Sequence, residues 1–302
     1  IILRFFKKAD RAAIADERAM KKRKKRAAKA ARRMPRDRFS SDDEPITMTI
    51  RETHEQLYIE PDNAQTIGMR EEQQDAFIFS NVYSDDDNAD IGCVAVLADG
   101  MGGLADGYTA ASTGVEEFLN VYSSEVKDGE LTLAAMEDAV YSANRAVCRI
   151  GNSGATLIGA VVRDKELCWV SVGDSHIYLM RNGMLRQLNV DHIYARELDE
   201  MACRGEITFQ EAASNYEREA LTSYLGLDTL SEIDKNERRF PLRMGDIILL
   251  CSDGVYKTLG NDEIEMILSN SKRRTAQALI NAVEQKQRAA QDNATAVIFK
   301  II

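Results

Sequence analysis

The run Ile91-Gly92-Cys93-Val94-Ala95-Val96-Leu97-Ala98-Asp99-Gly100-Met101-Gly102-Gly103 decides how the rest of the chain is read. Ile91 to Ala98 is an apolar, strand-like stretch that ends on the carboxylate of Asp99. Three of the next four residues are glycine, so the backbone can turn sharply and come close to a neighbour. An aspartate at a strand end beside accessible carbonyls is a ligand set for a hard cation. A Gly-rich tight turn without a ligand is the plain alternative for this run by itself.

The same arrangement recurs. Ile247–Cys251 runs into Ser252-Asp253-Gly254, Cys168–Val172 runs into Gly173-Asp174-Ser175, Asp292-Asn293 precedes the last apolar run, and Asp75 opens another. Each of these aspartates by itself fits a capping or turn residue. Five at the ends of apolar strands, far apart in sequence, point to one shared site if the strand ends converge. Clustered carboxylates raise one another's pKa, and divalent cations relieve that repulsion. Oxygen-only ligands suit Mg²⁺ or Mn²⁺, and no Cys/His set with zinc spacing competes.

Strand-like runs come in blocks: Asp75–Val82 and Ile91–Ala98 joined through the Asp85–Asp90 loop, then Ala155–Val162, Leu167–Val172, Ile177–Arg181 and Leu185–Leu188. Asn182-Gly183 is a strong two-residue hairpin signal. Further strands are expected at about Ile233–Phe240, Asp246–Cys251 and Ala294–Ile301. Helical periodicity covers roughly Tyr108–Glu125 and Leu131–Arg149, the stretch 192–225, and two helices within 261–290. Blocks of strands separated by paired helices predict an α+β fold of two antiparallel sheets with helix pairs outside, and argue against a doubly wound parallel sheet.

Charge divides the 302 residues unevenly. Residues 1–38 hold 16 Lys/Arg against 4 Asp/Glu, a net of +12, and the rest holds 23 against 45, a net of −22. The leader has helix-forming composition up to Pro35, and residues 39–45 read as a linker before a domain at 46–302. The basic leader fits a solvated helix or arm, and equally a contact with an anionic membrane surface or a partner protein. Its basic run lacks aromatic residues, which argues against nucleic acid. No complete membrane-spanning apolar stretch occurs, although Ile1-Ile2-Leu3 could be the end of one upstream, which would place the protein at the inner face of a membrane. The five cysteines lack a paired spacing and read as reduced thiols of a cytoplasmic protein.

In order, the motifs are Arg70-Glu71-Glu72-Gln73-Gln74-Asp75, Asp99-Gly100-Met101-Gly102-Gly103, Ser153-Gly154-Ala155-Thr156, Gly173-Asp174-Ser175, Ser252-Asp253-Gly254 and Asp292-Asn293-Ala294-Thr295. This order resembles the type-2C metal-dependent Ser/Thr protein phosphatases over roughly Ile46 to Ile302, and Met101 resembles their bacterial branch. The resemblance implies an αββα sandwich, and the composition of the leader puts a basic N-terminal helix outside it. The resemblance also implies that Asp99 bridges two Mn²⁺ or Mg²⁺ ions and that the Gly100 carbonyl ligates one. Asp253 and Asp292 serve the other ion, Asp75 holds water beside the metals, and Asp174 with Asp253 makes a third-metal site. Arg70 grips the substrate phosphate, and residues 191–226 form a flap.

The implied reaction is direct, in-line attack of an activated water on phosphoserine or phosphothreonine of a protein, in bacterial signalling. The alternative is a module that binds phosphoprotein without turnover. Departures from the family pattern are Met101, which cannot donate a proton where eukaryotic members have His, and Gln74, which is not anionic. His176 follows the third-metal motif in place of Arg and reads as a strand residue near the rim or a phosphate contact. His192 reads as structural, and His54 as a surface or packing residue.

Overall fold

The computed structural model describes residues 58–80, 91–101, 106–126, 132–163, 165–271 and 273–302. The chain divides into two units, Ile1–His54 and Glu55–Ile302, and every described residue belongs to the second. The basic leader, the linker, His54, Val82, the Asp85–Asp90 loop and Gly102-Gly103 lie outside the described residues.

Two antiparallel sheets form the middle of the domain. One is ordered β1 (Ile59–Thr66), β11 (Ala294–Ile301), β10 (Ile247–Cys251), β6 (His176–Arg181) and β7 (Met184–Gln187). The other is ordered β2 (Asp75–Ser80), β3 (Cys93–Asp99), β4 (Leu157–Arg163), β5 (Glu166–Val172) and β8 (Asp234–Lys235), and β9 (Phe240–Pro241) also pairs with β5. Helices α1 (Gly107–Glu125) and α2 (Thr132–Ile150) cover the second sheet. Helices α5 (Asp253–Leu259), α6 (Asn261–Asn270) and α7 (Thr275–Gln285) cover the first. Between β7 and β8 lie α3 (Ala195–Cys203) and α4 (Phe209–Ser214). This is the αββα sandwich expected from the strand blocks.

The period of two along each strand explains why the central runs are apolar throughout. In β3, Val94, Val96 and Ala98 face the α1–α2 core, while Ala95 and Leu97 face the core between the sheets. In β11, Ala294, Ala296 and Ile298 face the α5–α7 core, while Val297, Phe299 and Ile301 face inward. Strands buried on both faces cannot alternate with polar residues, so they read as continuous hydrophobic runs. Such four-layer packing is dense, and it leaves the strand ends as the places where polar groups can gather.

Two expectations change. Ile233–Phe240 is not one strand: only Asp234–Lys235 and Phe240–Pro241 pair with β5. Between them Asn236 takes over the ladder, its side chain accepting from Trp169 N at 2.9 Å and donating to Leu167 O at 3.1 Å. The outer layer over the first sheet holds a third helix, α5, ahead of the expected pair. Asn182 and Gly183 have φ of 54° and 78°, the left-handed pair that a two-residue hairpin turn needs. Among the described residues no helix is long and apolar enough to cross a membrane.

Gly254, at the start of α5, packs so closely on the loop before β11 that a Cβ there would lie 2.0 Å from Asn293 O. Gly254→Ala is expected to destabilise the fold by about 1–3 kcal/mol and to lower the thermal midpoint by several degrees, checked by scanning calorimetry.

Candidate active site

The sheet registers bring the aspartates together. Asp75 and Asp99 are direct partners in the β2–β3 ladder. Thr156, at the start of β4, donates its N–H to Asp99 O at 2.9 Å, and its Oγ1 accepts from Asp99 N at 3.0 Å. Asp174 follows β5, and Asp253 opens α5 just after β10. Asp292 precedes β11, which pairs with β10. Arg70, Asp99, Gly100, Met101, Asp174, Asp253 and Asp292 line one cleft of roughly 290 Å³, together with Gln74, Thr156, Lys257 and the segment residues Glu219 and Leu221.

Asp75 does not reach this cleft. It is buried, and its Oδ2 accepts from Thr295 Oγ1 at 2.6 Å and Ser252 Oγ at 2.8 Å. Its Oδ1 is buried without a hydrogen-bond partner. Burial, offset in part by those two hydroxyls, pushes its pKa up to about 6, and Asp253 and Asp292 add to the rise. Burial also holds Asp99 well above the carboxylate range, reinforced by Asp75, Asp253, Asp174 and Asp292. Asp253 is raised too, by burial first, although Lys257 opposes the shift.

Two basic side chains offset this negative potential. Arg70 forks onto Asp292, with Nε to Oδ1 at 2.8 Å and Nη2 to Oδ2 at 2.7 Å. Hydrogen bonding to Asp292 raises the Arg70 pKa further. Lys257 Nζ lies 3.1 Å from Asp174 Oδ2 and 3.0 Å from Asp253 Oδ2. Among the described residues no three His, Cys, Asp or Glu side chains close on one point as a chelate, because these carboxylates turn to Arg70, Lys257 and the hydroxyls. The donors still fit hard divalent ions: they are oxygens only, and Asp75 Oδ1 is orphaned. Four carboxylates also raise the pKa of a fifth.

Several residues at the site carry no assigned role in the sequence reading. Asn293 ties the Arg70 loop to Asp292: its Oδ1 accepts from Gln74 N at 2.8 Å, and its Nδ2 donates to Ile67 O at 2.9 Å and Glu72 O at 3.0 Å. Ser252 and Thr295 hold Asp75. Their signal is a hydroxyl placed beside a strand end in the motifs already quoted. Lys257 lies one helical turn after Asp253, a signal visible only once α5 is recognised. Gly100 is closely packed, and a Cβ there would lie 2.2 Å from Gly107 O.

His176 and His192 do not line the cleft. His176 is buried, its Nδ1 2.8 Å from Tyr178 Oη and its ring stacked on Tyr256 at 3.5 Å. His192 is buried, and its Nδ1 accepts from Gly173 N at 3.0 Å. Residues 191–226 hold a small core of Leu198, Ala202 and Ala212, and an ion pair between Arg218 and Asp199. The segment is tied down by an Ile193–Leu221 bridge.

A family model described as Protein phosphatase 2C matches residues 66–294. The serine/threonine phosphatase stp of Listeria monocytogenes is 28% identical over 227 residues, covering 71% of this chain and 86% of that protein. The solved serine/threonine phosphatase PstP/Ppp of Mycobacterium tuberculosis is 25% identical with a TM-score of 0.63, covering 80% of this chain and 98% of that one. A structure of the PstP catalytic domain in complex with two manganese ions is 26% identical with a TM-score of 0.62, covering 82% and 100%.

The raised carboxylates set the pH dependence of the metal-free protein. A folded pKa above the unfolded value adds stability that is complete below the ordinary carboxylate range and lost as pH rises through the folded pKa. The thermal midpoint of metal-free protein is therefore expected to fall between about pH 4 and pH 6.5, Asp75→Asn to flatten that fall, and Mn²⁺ to oppose it. Differential scanning fluorimetry with and without chelator checks this.

Proposed function

The chain belongs to the protein phosphatase 2C family, and from that premise we propose that its cleft hydrolyses phosphoserine and phosphothreonine in proteins with Mn²⁺ or Mg²⁺ at the aspartate cluster. The observation that carries this reading is the convergence of Asp99, Asp174, Asp253 and Asp292 with Arg70 on one cleft, with Asp75 buried beside Asp99. Asp99, the Gly100 carbonyl, Asp253 and Asp292 would hold two ions. When bound, such ions supply Lewis-acid activation of water and neutralise charge that develops on the phosphoryl oxygens.

The chain's own groups do the positioning. Ser252 and Thr295 hold Asp75 through Oδ2, so its position beside Asp99 is fixed, while Oδ1 stays buried without a partner. Thr156 fixes the Asp99 backbone from both sides, so the carboxylate at the end of β3 has little freedom. Arg70 is half exposed at the mouth, and its planar fork, now on Asp292, matches two oxygens of a phosphate equally well. Met101 lines the cleft and has no proton to give, so the leaving alkoxide takes its proton from another source.

A module that binds without turnover has no observation in its favour, because every strand-end aspartate is in place. Bacterial signalling in the cytoplasm is the setting proposed, on the strength of the relatives and the reduced-thiol reading. Contact of the leader at 1–38 with an anionic surface or a partner protein is proposed from its charge of +12.

Hydrolysis of a phosphothreonine peptide is expected to require Mn²⁺ or Mg²⁺ and to fall to background in Asp99→Ala. Arg70→Ala is expected to raise KM roughly ten- to a hundredfold, as loss of charge-assisted hydrogen bonds implies. Steady-state phosphate release checks both, and a wild type without metal-dependent turnover would overturn the reading.

A further inference from the structure

Lys257 is the cation that the phosphatase reading does not use. It lies on α5 four residues after Asp253, and its ammonium is shared between Asp253 Oδ2 at 3.0 Å and Asp174 Oδ2 at 3.1 Å. Tyr256 Oη also donates to Asp174 Oδ2, at 3.2 Å. These are the two carboxylates to which the family resemblance gives a third divalent ion. We infer that Lys257 is this protein's built-in third cation: its ammonium occupies the place between Asp174 and Asp253, so the protein takes two divalent ions and not three. The inference rests on the phosphatase reading of the cleft.

The geometry leaves little room for both. Mg²⁺ needs carboxylate oxygens at about 2.1 Å, and Mn²⁺ takes a similar octahedral oxygen shell. An ion using the same two oxygens would have to stand where Nζ stands. An ion beside it would face a like charge across a shared carboxylate. An ammonium offers three donors, and these contacts engage two of them, so both carboxylates are compensated without any ion.

The position is also built. Lys257 follows Tyr256, whose ring stacks on buried His176 at 3.5 Å with 14° between planes, and Nζ lies 5.8 Å from that ring's centroid. Tyr178 Oη donates to Asn261 at 2.8 Å, which anchors the same side chains to the start of α6. Because helix α5 begins at Asp253, the i, i+4 spacing returns the lysine to the carboxylate that opens the helix. Asp253 also belongs to the two-ion centre, so Lys257 neutralises the third position without removing that ligand.

Mn²⁺ stoichiometry tests this, measured by calorimetric titration and by equilibrium dialysis with elemental analysis on the full chain. Wild type is expected to saturate at two ions. Lys257→Asp, which replaces the ammonium with a third carboxylate, is expected to bind a third ion, and adding Asp174→Asn to it should return the count to two. Lys257→Met, close in length and uncharged, is expected to show a weaker third event at higher Mn²⁺, and it carries the test if the Asp variant does not fold by circular dichroism. A wild type that saturates at three ions, or folded Lys257 variants that stay at two, would overturn the inference and leave the phosphatase reading standing. A wild type that binds no ion would sink the phosphatase reading, and the inference with it.

Discussion

Repulsion among carboxylates at one end of the sandwich is the constraint on which the rest of the structure depends. Asp99 is raised by burial and by four neighbouring aspartates at once, a configuration no fold adopts without compensation. The chain supplies part of it. Hydroxyls of Ser252 and Thr295 hold one oxygen of Asp75, Arg70 forks onto Asp292, and Lys257 joins Asp174 to Asp253. The chain leaves Oδ1 of Asp75 buried without a partner.

Only a rigid frame can hold such a cluster. The three stacked cores bury β3, β4, β10 and β11 on both faces, so their ends cannot drift apart to relieve the charge. The loops that carry the remaining groups are short and tied. Asn293 alone makes three hydrogen bonds that join the Arg70 loop to the Asp292 loop, and the close contacts at Gly100 and Gly254 leave no space for a side chain. Strain on the electrostatics is thus borne by packing far from the charges.

The sequence makes the frame more legible than the adjustments within it. Doubly buried strands such as Val94–Ala98 and Ala294–Ile301 announce themselves as largely apolar runs, and the aspartates beside their ends stand out as the charged residues there. The layered fold follows from the order of those runs. Three features do not. Asn236 interrupts a strand by substituting its side chain for ladder hydrogen bonds, and composition gives no sign of that. Helix α5 is only seven residues long, too short for its periodicity to be read, so nothing in the sequence ties Lys257 to Asp253. The fork of Arg70 onto Asp292 at the mouth of the cleft is the third. That pairing depends on Asn293 joining two loops more than two hundred residues apart in sequence.

Charge at the cleft connects these details to the reaction. In the two-ion state proposed above, divalent ions at Asp99, Asp253 and Asp292 would add to the fixed positive charges of Arg70 and Lys257. A fixed ammonium at the third position contributes its share in every state of the enzyme, whereas a third ion would come and go with concentration. The burial that lowers a lysine's pKa is outweighed here by Asp253 and Asp174, so the ammonium stays charged across the pH range in which the ions bind. On the two-ion reading proposed above, the field over the substrate depends on two ions and the covalent structure alone.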